Sequence, residues 1–182
     1  SEEEHEQVMI RTGWLDEKEP WTFDMHRRTV TLDHINYDLT KRTIRALASE
    51  DPSLKIVLRP HPAESTDAWL TDFTDLPNVE VIRDGNVVAM ILASRLVLHT
   101  GCTTGVEAML LGHPTMSIRP DDPEQDQWRW FVSNHINPVA IGAGEAVAKT
   151  RRFLAGTLDL ETERAEARRD ARNLHFSGLQ GD

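Results

Sequence analysis

Between residues 54 and 154 short apolar runs alternate with segments of helical length, and this alternation constrains the fold more than any other feature. The runs Leu54–Leu58, Val79–Ile82, Arg95–His99, Pro114–Ile118 and Pro138–Ile141 each have the length and composition of a buried strand. Between them, Ser65–Phe73, Val87–Ala93 and Thr103–Leu111 have helical spacing, and Gly112 stops the last of these. A further helix is predicted at Glu145–Leu154. Another at Asp38–Ser49 ends at Asp51-Pro52, because the residue before a proline resists the helical region. Strand then helix, repeated with mostly short connections, specifies right-handed crossovers. The predicted class is therefore α/β, a Rossmann-like parallel sheet with helices on both faces.

The flanks differ from this body. Residues 1–24 hold eight acids and two bases, a net of −6 out of −10 for all 182 residues. Such a Glu-rich stretch is expected to stay solvated, so residues 1–35 read as an acidic leader or linker and 36–157 as the domain. Trp14 and Trp21 in the leader either tuck against this domain or dock on a neighbouring one. Residues 158–182 read as a solvated charged helix and tail, with Glu161 and Glu166 each three residues before an arginine. The overall negative charge argues against a nucleic-acid partner, because that affinity rests on Lys and Arg releasing counterions from phosphates. The single cysteine, Cys102, excludes an internal disulfide, no apolar run is long enough to span a bilayer, and the expected location is the cytoplasm. The chain does not begin with Met and reads as a piece of something longer.

In an open α/β sheet, ligands bind outside the carboxyl ends of the strands. That rule selects three segments. In Thr100-Gly101-Cys102-Thr103-Thr104-Gly105-Val106-Glu107, Gly101 permits a tight strand-to-helix turn. Thr103 and Thr104 then place hydroxyls beside unpaired amides, the makings of an anion site, although the same pattern also serves as a plain helix cap. Glu107, one turn on, can accept hydrogen bonds from a ribose. In Arg59-Pro60-His61-Pro62-Ala63-Glu64 two prolines stiffen the chain around His61, so that a histidine or arginine can donate to phosphate, or the segment is simply a turn. Asp84-Gly85-Asn86 suits contact with a sugar or base and is equally ordinary turn chemistry.

Other templates fail. Nothing after Gly105 supplies the lysine of a phosphate-binding loop, and the third glycine position of a dinucleotide pattern starting at Gly142 is Val147. A Cys-x5-Arg phosphatase loop at Cys102 would need arginine where Ala108 stands. The eight histidines form no i,i+4 pair on a helix, so no metal site is expected.

With those residues in view, Arg59-Pro60-His61-Pro62-Ala63-Glu64, His99 to Ala108 and Leu111-Gly112-His113-Pro114 together resemble the C-terminal, donor-binding half of a GT-B glycosyltransferase. The similarity spans about Lys55 to Pro120 and is greatest to bacterial surface-carbohydrate biosynthesis proteins and the CMP-Kdo-dependent transferases of capsule and lipopolysaccharide assembly. It implies a nucleotide-sugar donor as substrate, with no separate cofactor. Arg59, His61, Gly101, Thr103 and Thr104 would contact donor phosphate, Glu107 and Glu64 the ribose or nucleotide, and Asp84 and Asn86 a sugar or base. It also implies a partner N-terminal domain that binds the glycan acceptor, and a cytoplasmic place peripheral to the inner membrane. No catalytic base carries over. A sugar-nucleotide 2-epimerase is a related alternative, but such enzymes pair two glutamates where Val106 precedes Glu107 here; a non-catalytic nucleotide-binding module is the third.

Overall fold

Among the described residues every strand pairing is parallel. The computed structural model describes residues 2–16, 18–62, 64–122, 132–166 and 169. Two units divide between Tyr37 and Asp38. The first comprises α1 (Glu2–Arg11) and the opening turns of α2 (Trp21–Glu50), joined through Gly13 at φ +78°. Among its described residues Leu15 and Leu32 are buried, and Trp14 is 74% exposed. The expected helix at Asp38–Ser49 thus begins 17 residues earlier, inside the segment read as a leader. From Trp21 to Glu50 there is neither glycine nor proline to interrupt it, and Pro20 sits just ahead of its first turn, where a missing N–H costs nothing. Apolar periodicity in that stretch is sparse, so the breaker pattern decided where the helix starts.

In the second unit, β1 (Ile56–Leu58) pairs with β2 (Val79–Val81), with α3 (Thr66–Asp72) between them in sequence. After α4 (Val87–Ala93), β3 (Val97–His99), β4 (Thr115–Arg119) and β5 (Val139–Ile141) form a second sheet in the order β3-β4-β5. Its connections are α5 (Thr103–Leu110) and the short α6 (Val132–Ile136), and α7 (Gly142–Leu154) follows β5. The fold is α/β with parallel strands flanked by helices, and the strands are divided between a two-stranded and a three-stranded sheet.

Alternation along β4 separates two chemistries. Met116 and Ile118 face an apolar core with Leu39 of α2, Ala140, Ala146 of α7 and Leu160. Thr115 and Ser117 face the other way, toward α5 and α6, where they are fully buried. The two-stranded sheet is less covered. Lys41 and Arg45 of α2 pair with Asp72 and Asp75 beside α3, Trp69 stacks on Phe73 at 6.0 Å, and Asn78 donates to the carbonyls of Ala48 and Leu54 at 3.0 Å. On the opposite face Val57 and its register partner Glu80 stand exposed, Val57 by 52%.

The charged C-terminal segment corrects a further expectation. Residues 160–166 are helical as predicted, but Arg164 is 2% exposed rather than solvated. It donates to the His113 carbonyl at 2.7 Å and to Glu161, while Lys149 bridges Val139 O and Glu163. Leu160 anchors the same turn in the core, so spacing alone misjudged a helix that has an inward face. Apart from residue 169, the expected tail beyond 166 lies outside the described residues. Among the described residues no helix is long and apolar enough to cross a membrane.

Candidate functional site

The loops after β1 and β2 brace one another. Arg59 donates to Gly85 O at 2.9 Å, and Arg83 reaches back to Pro62 O at 2.8 Å, so each strand-end arginine holds the other strand's loop. Gly85, at φ +107°, supplies the left-handed residue that this crossing requires. Within the first loop, Glu64 Oε2 accepts from the His61 amide at 2.9 Å and from Trp69 Nε1 at 3.2 Å. The result is a stiff support for the exposed His61 ring. Glu64 thereby orients the His61 backbone, while the exposed Arg59 commits a single guanidinium nitrogen to Gly85 O.

Asn86 is similarly occupied. Its Oδ1 accepts from Val88 N at 2.9 Å and Ala89 N at 3.3 Å, which caps α4. Contact with a sugar would have to come from its amide nitrogen, whereas Asp84 is simply exposed. Asn86→Ala is expected to lower stability by about 1 kcal/mol, read as a shift in the urea midpoint without a change of slope. An unmoved midpoint would show that this cap contributes nothing.

The turn from β3 into α5 has a different character. Gly101 is buried at φ +96°, and its N–H donates to His99 Nδ1 at 3.0 Å. Its part in the turn is therefore conformational, and the amide donors open to an anion lie further along. The N-cap residue is Cys102, whose side chain makes no capping hydrogen bond, so neither Thr103 nor Thr104 fills the cap position. By contrast α3 is capped by Ser65, α4 by Asn86, and the glycine turn into α7 is closed by Glu145, which accepts from Ile141 N at 2.7 Å. The first amides of α5 lack intrahelical acceptors, and with the helix dipole they favour negative charge. One turn on, Glu107 Oε2 is buried and meets no hydrogen-bond donor.

Beneath this turn lies a polar layer that sequence reasoning missed. His99 is 6% exposed, and burial pushes its pKa down to about 4, so the ring is neutral. Because Nδ1 accepts from Gly101, the ring proton resides on Nε2. Asn137 Nδ2 donates to Gly105 O and Ser133 O at 3.0 Å each, which uses both of its hydrogens and leaves its 3.3 Å approach to His99 Nε2 as packing. Ser117 donates to Asn134 of α6 in the same layer. The one advance signal was a histidine ending an otherwise apolar strand.

No family model, curated protein or solved structure matches the chain. The reading of the site therefore rests on its own geometry. Arg59, His61, Glu64, Asp84 and Asn86 belong to the edge of the two-stranded sheet, and Gly101, Thr103, Thr104 and Glu107 to the edge of the three-stranded one. The two groups are linked through α4, which Asn86 caps and which packs against α5.

Proposed function

We propose that this chain is the donor-binding part of a glycosyltransferase of bacterial surface polysaccharide biosynthesis, with a GT-B architecture and a CMP-Kdo-type nucleotide sugar as donor. The observation that carries the reading is the open start of α5. Amides without a side-chain cap, two threonine hydroxyls and, one turn on, a buried carboxylate oxygen without a donor suit a phosphate followed by a ribose. In that arrangement Thr103 and Thr104 donate to phosphate, Glu107 accepts from ribose hydroxyls, and His61 donates from its braced loop. Glycosyl transfer needs the leaving phosphate stabilised as the glycosidic bond breaks, and fixed donors supply this without reorganisation. Acceptor binding and the catalytic base would come from a second domain, and the reaction would take place on the cytoplasmic side of the inner membrane.

Calorimetric titration with CMP tests the assignment. His61→Ala and Thr104→Val should each weaken binding by roughly 5- to 10-fold, about 1 kcal/mol, with the thermal midpoint close to that of the wild type. Unchanged affinity in both variants would remove these residues from the site. Absence of CMP binding by the wild type would remove the reading itself.

A further inference from the structure

Two of the five tryptophans stand in solvent at the turn between α1 and α2. Trp14 is 74% exposed and Trp21 57%, and Met25, one helical turn after Trp21 on the same face of α2, is 49% exposed. Tryptophan is highly buried on average, so a cluster of exposed large apolar side chains marks an interaction site. The turn itself is firmly built. Leu15, 3% exposed, anchors it from within, while its neighbour Trp14 projects outward. Thr22 Oγ1 accepts from Asp16 N at 3.2 Å and donates to Glu19 O at 2.8 Å, and Lys18 N donates to Asp16 Oδ1 at 2.9 Å. Trp14 stands two residues before one side of the Asp16–Thr22 contact and Trp21 one residue before the other, so both rings are held at one tip. Among the described residues no ring stacking, cation or side-chain hydrogen bond engages either of them.

Charge selects what kind of surface this tip can meet. Residues 14–25 hold four acids, Asp16, Glu17, Glu19 and Asp24, against one base, Lys18. Asp16, Glu19 and Asp24 are exposed, and among the described residues none of the three has an ion-pair partner. A second copy of the chain would bring the same acids together, and a nucleic acid or an anionic bilayer would be repelled. We infer that this tip is a docking site for a basic segment of a partner protein, whose arginine side chains stack on Trp14 and Trp21 while Asp16, Glu19 and Asp24 pair with their charges. Arginine suits the task because its planar guanidinium lies flat on an aromatic face and is weakly hydrated. Tryptophan rings with polar groups around them are also the arrangement in which a few residues carry most of a binding energy. The inference does not rest on the nucleotide-sugar reading, which concerns the second unit alone.

Fluorescence anisotropy of labelled hexa-arginine, titrated with the 182-residue chain at about 50 mM salt, where surface charges are only partly screened, tests the site. Binding by wild type should be saturable. Trp14→Ala and Trp21→Ala together should weaken it by roughly 10-fold, and Asp24→Asn by about 2- to 3-fold. Glu80→Gln removes an equal charge at an exposed residue of the second unit and should leave the affinity where it was. Equal losses for Glu80→Gln and Asp24→Asn, or an unmoved affinity in the double tryptophan variant, would reduce the binding to bulk attraction and overturn the inference. Absence of hexa-arginine binding by wild type would overturn it as well. So would a dimer in sedimentation that the tryptophan variant dissolves, or binding to phosphatidylcholine vesicles that depends on the same two rings, since each assigns the tip another occupant. Should the double variant fail to fold, Trp21→Ala alone carries the same comparison.

Discussion

Gly105→Ala is expected to destabilise the protein by about 2 kcal/mol or more, although alanine is the better helix former by up to ~1 kcal/mol. The added methyl carbon would stand 2.4 Å from His99 Nε2, 2.5 Å from Cε1 and 2.7 Å from Cδ2. Three atoms of one rigid ring are met at once, so tilting the ring away from one contact drives another inward. The ring is not free to leave either. Gly101 N–H holds Nδ1, and Asn137, fixed on Gly105 O and Ser133 O, lies against Nε2. Steric cost therefore outweighs helix propensity. In the His99→Ala background the obstacle is gone, and the same Gly105→Ala change should become neutral or slightly stabilising. A denaturation cycle over the two single variants and the double variant measures this coupling. If Gly105→Ala alone shifts the midpoint by less than about 0.5 kcal/mol, the contact between α5 and β3 is looser than described.

That close approach illustrates where sequence reasoning stops. Strands such as Val97–His99 and Thr115–Arg119 were legible because apolar runs bounded by glycine and proline have few alternatives, and the Gly101 turn was legible because the chain must reverse there. The choice of the loop after β3 as a candidate site followed from a general rule about parallel sheets. What a linear pattern cannot convey is which polar group meets which. Arg59 and Glu64 carry ligand-like chemistry in a ligand-like motif, yet Gly85 O, His61 N and Trp69 Nε1 engage them. Conversely the pattern puts His99 and Ser117 on strands and assigns Asn134 and Asn137 to no element, with no sign that all four are buried. Arg164 misleads for the same reason, since the His113 carbonyl that receives it is 51 residues away. Long-range hydrogen bonds decide burial at these positions, and composition has no access to them.

The buried neutral histidine has a consequence on the pH axis. An imidazole whose pKa falls from 6.5 to about 4 on folding binds a proton more weakly in the native state than in the unfolded chain. Between those two values the unfolded state carries the proton and the native state does not, so stability rises with pH across the window and is lost on acidification. At about 1.4 kcal/mol per pKa unit, the full loss approaches ~3 kcal/mol by the acid end. His113 acts in the same direction, because partial burial and then the charge of Arg164 lower its pKa, while its Nε2 bonds Ser94 Oγ at 2.9 Å. The carboxylates Asp51, Asp75 and Asp159 are held below their ordinary 3.8 by hydrogen bonds to Ser53, Arg45 and Thr162 respectively, so their losses come at lower pH. Urea midpoints taken from neutral pH down to about pH 4 should therefore fall steeply in wild type. In His99→Gln most of that slope should vanish even though the variant starts from lower stability, and His113→Gln should remove only the smaller part. A slope that His99→Gln leaves intact would mean that the ring takes up its proton without leaving its pocket, and the hydrogen bond from Gly101 could not then be what holds the β3–α5 turn.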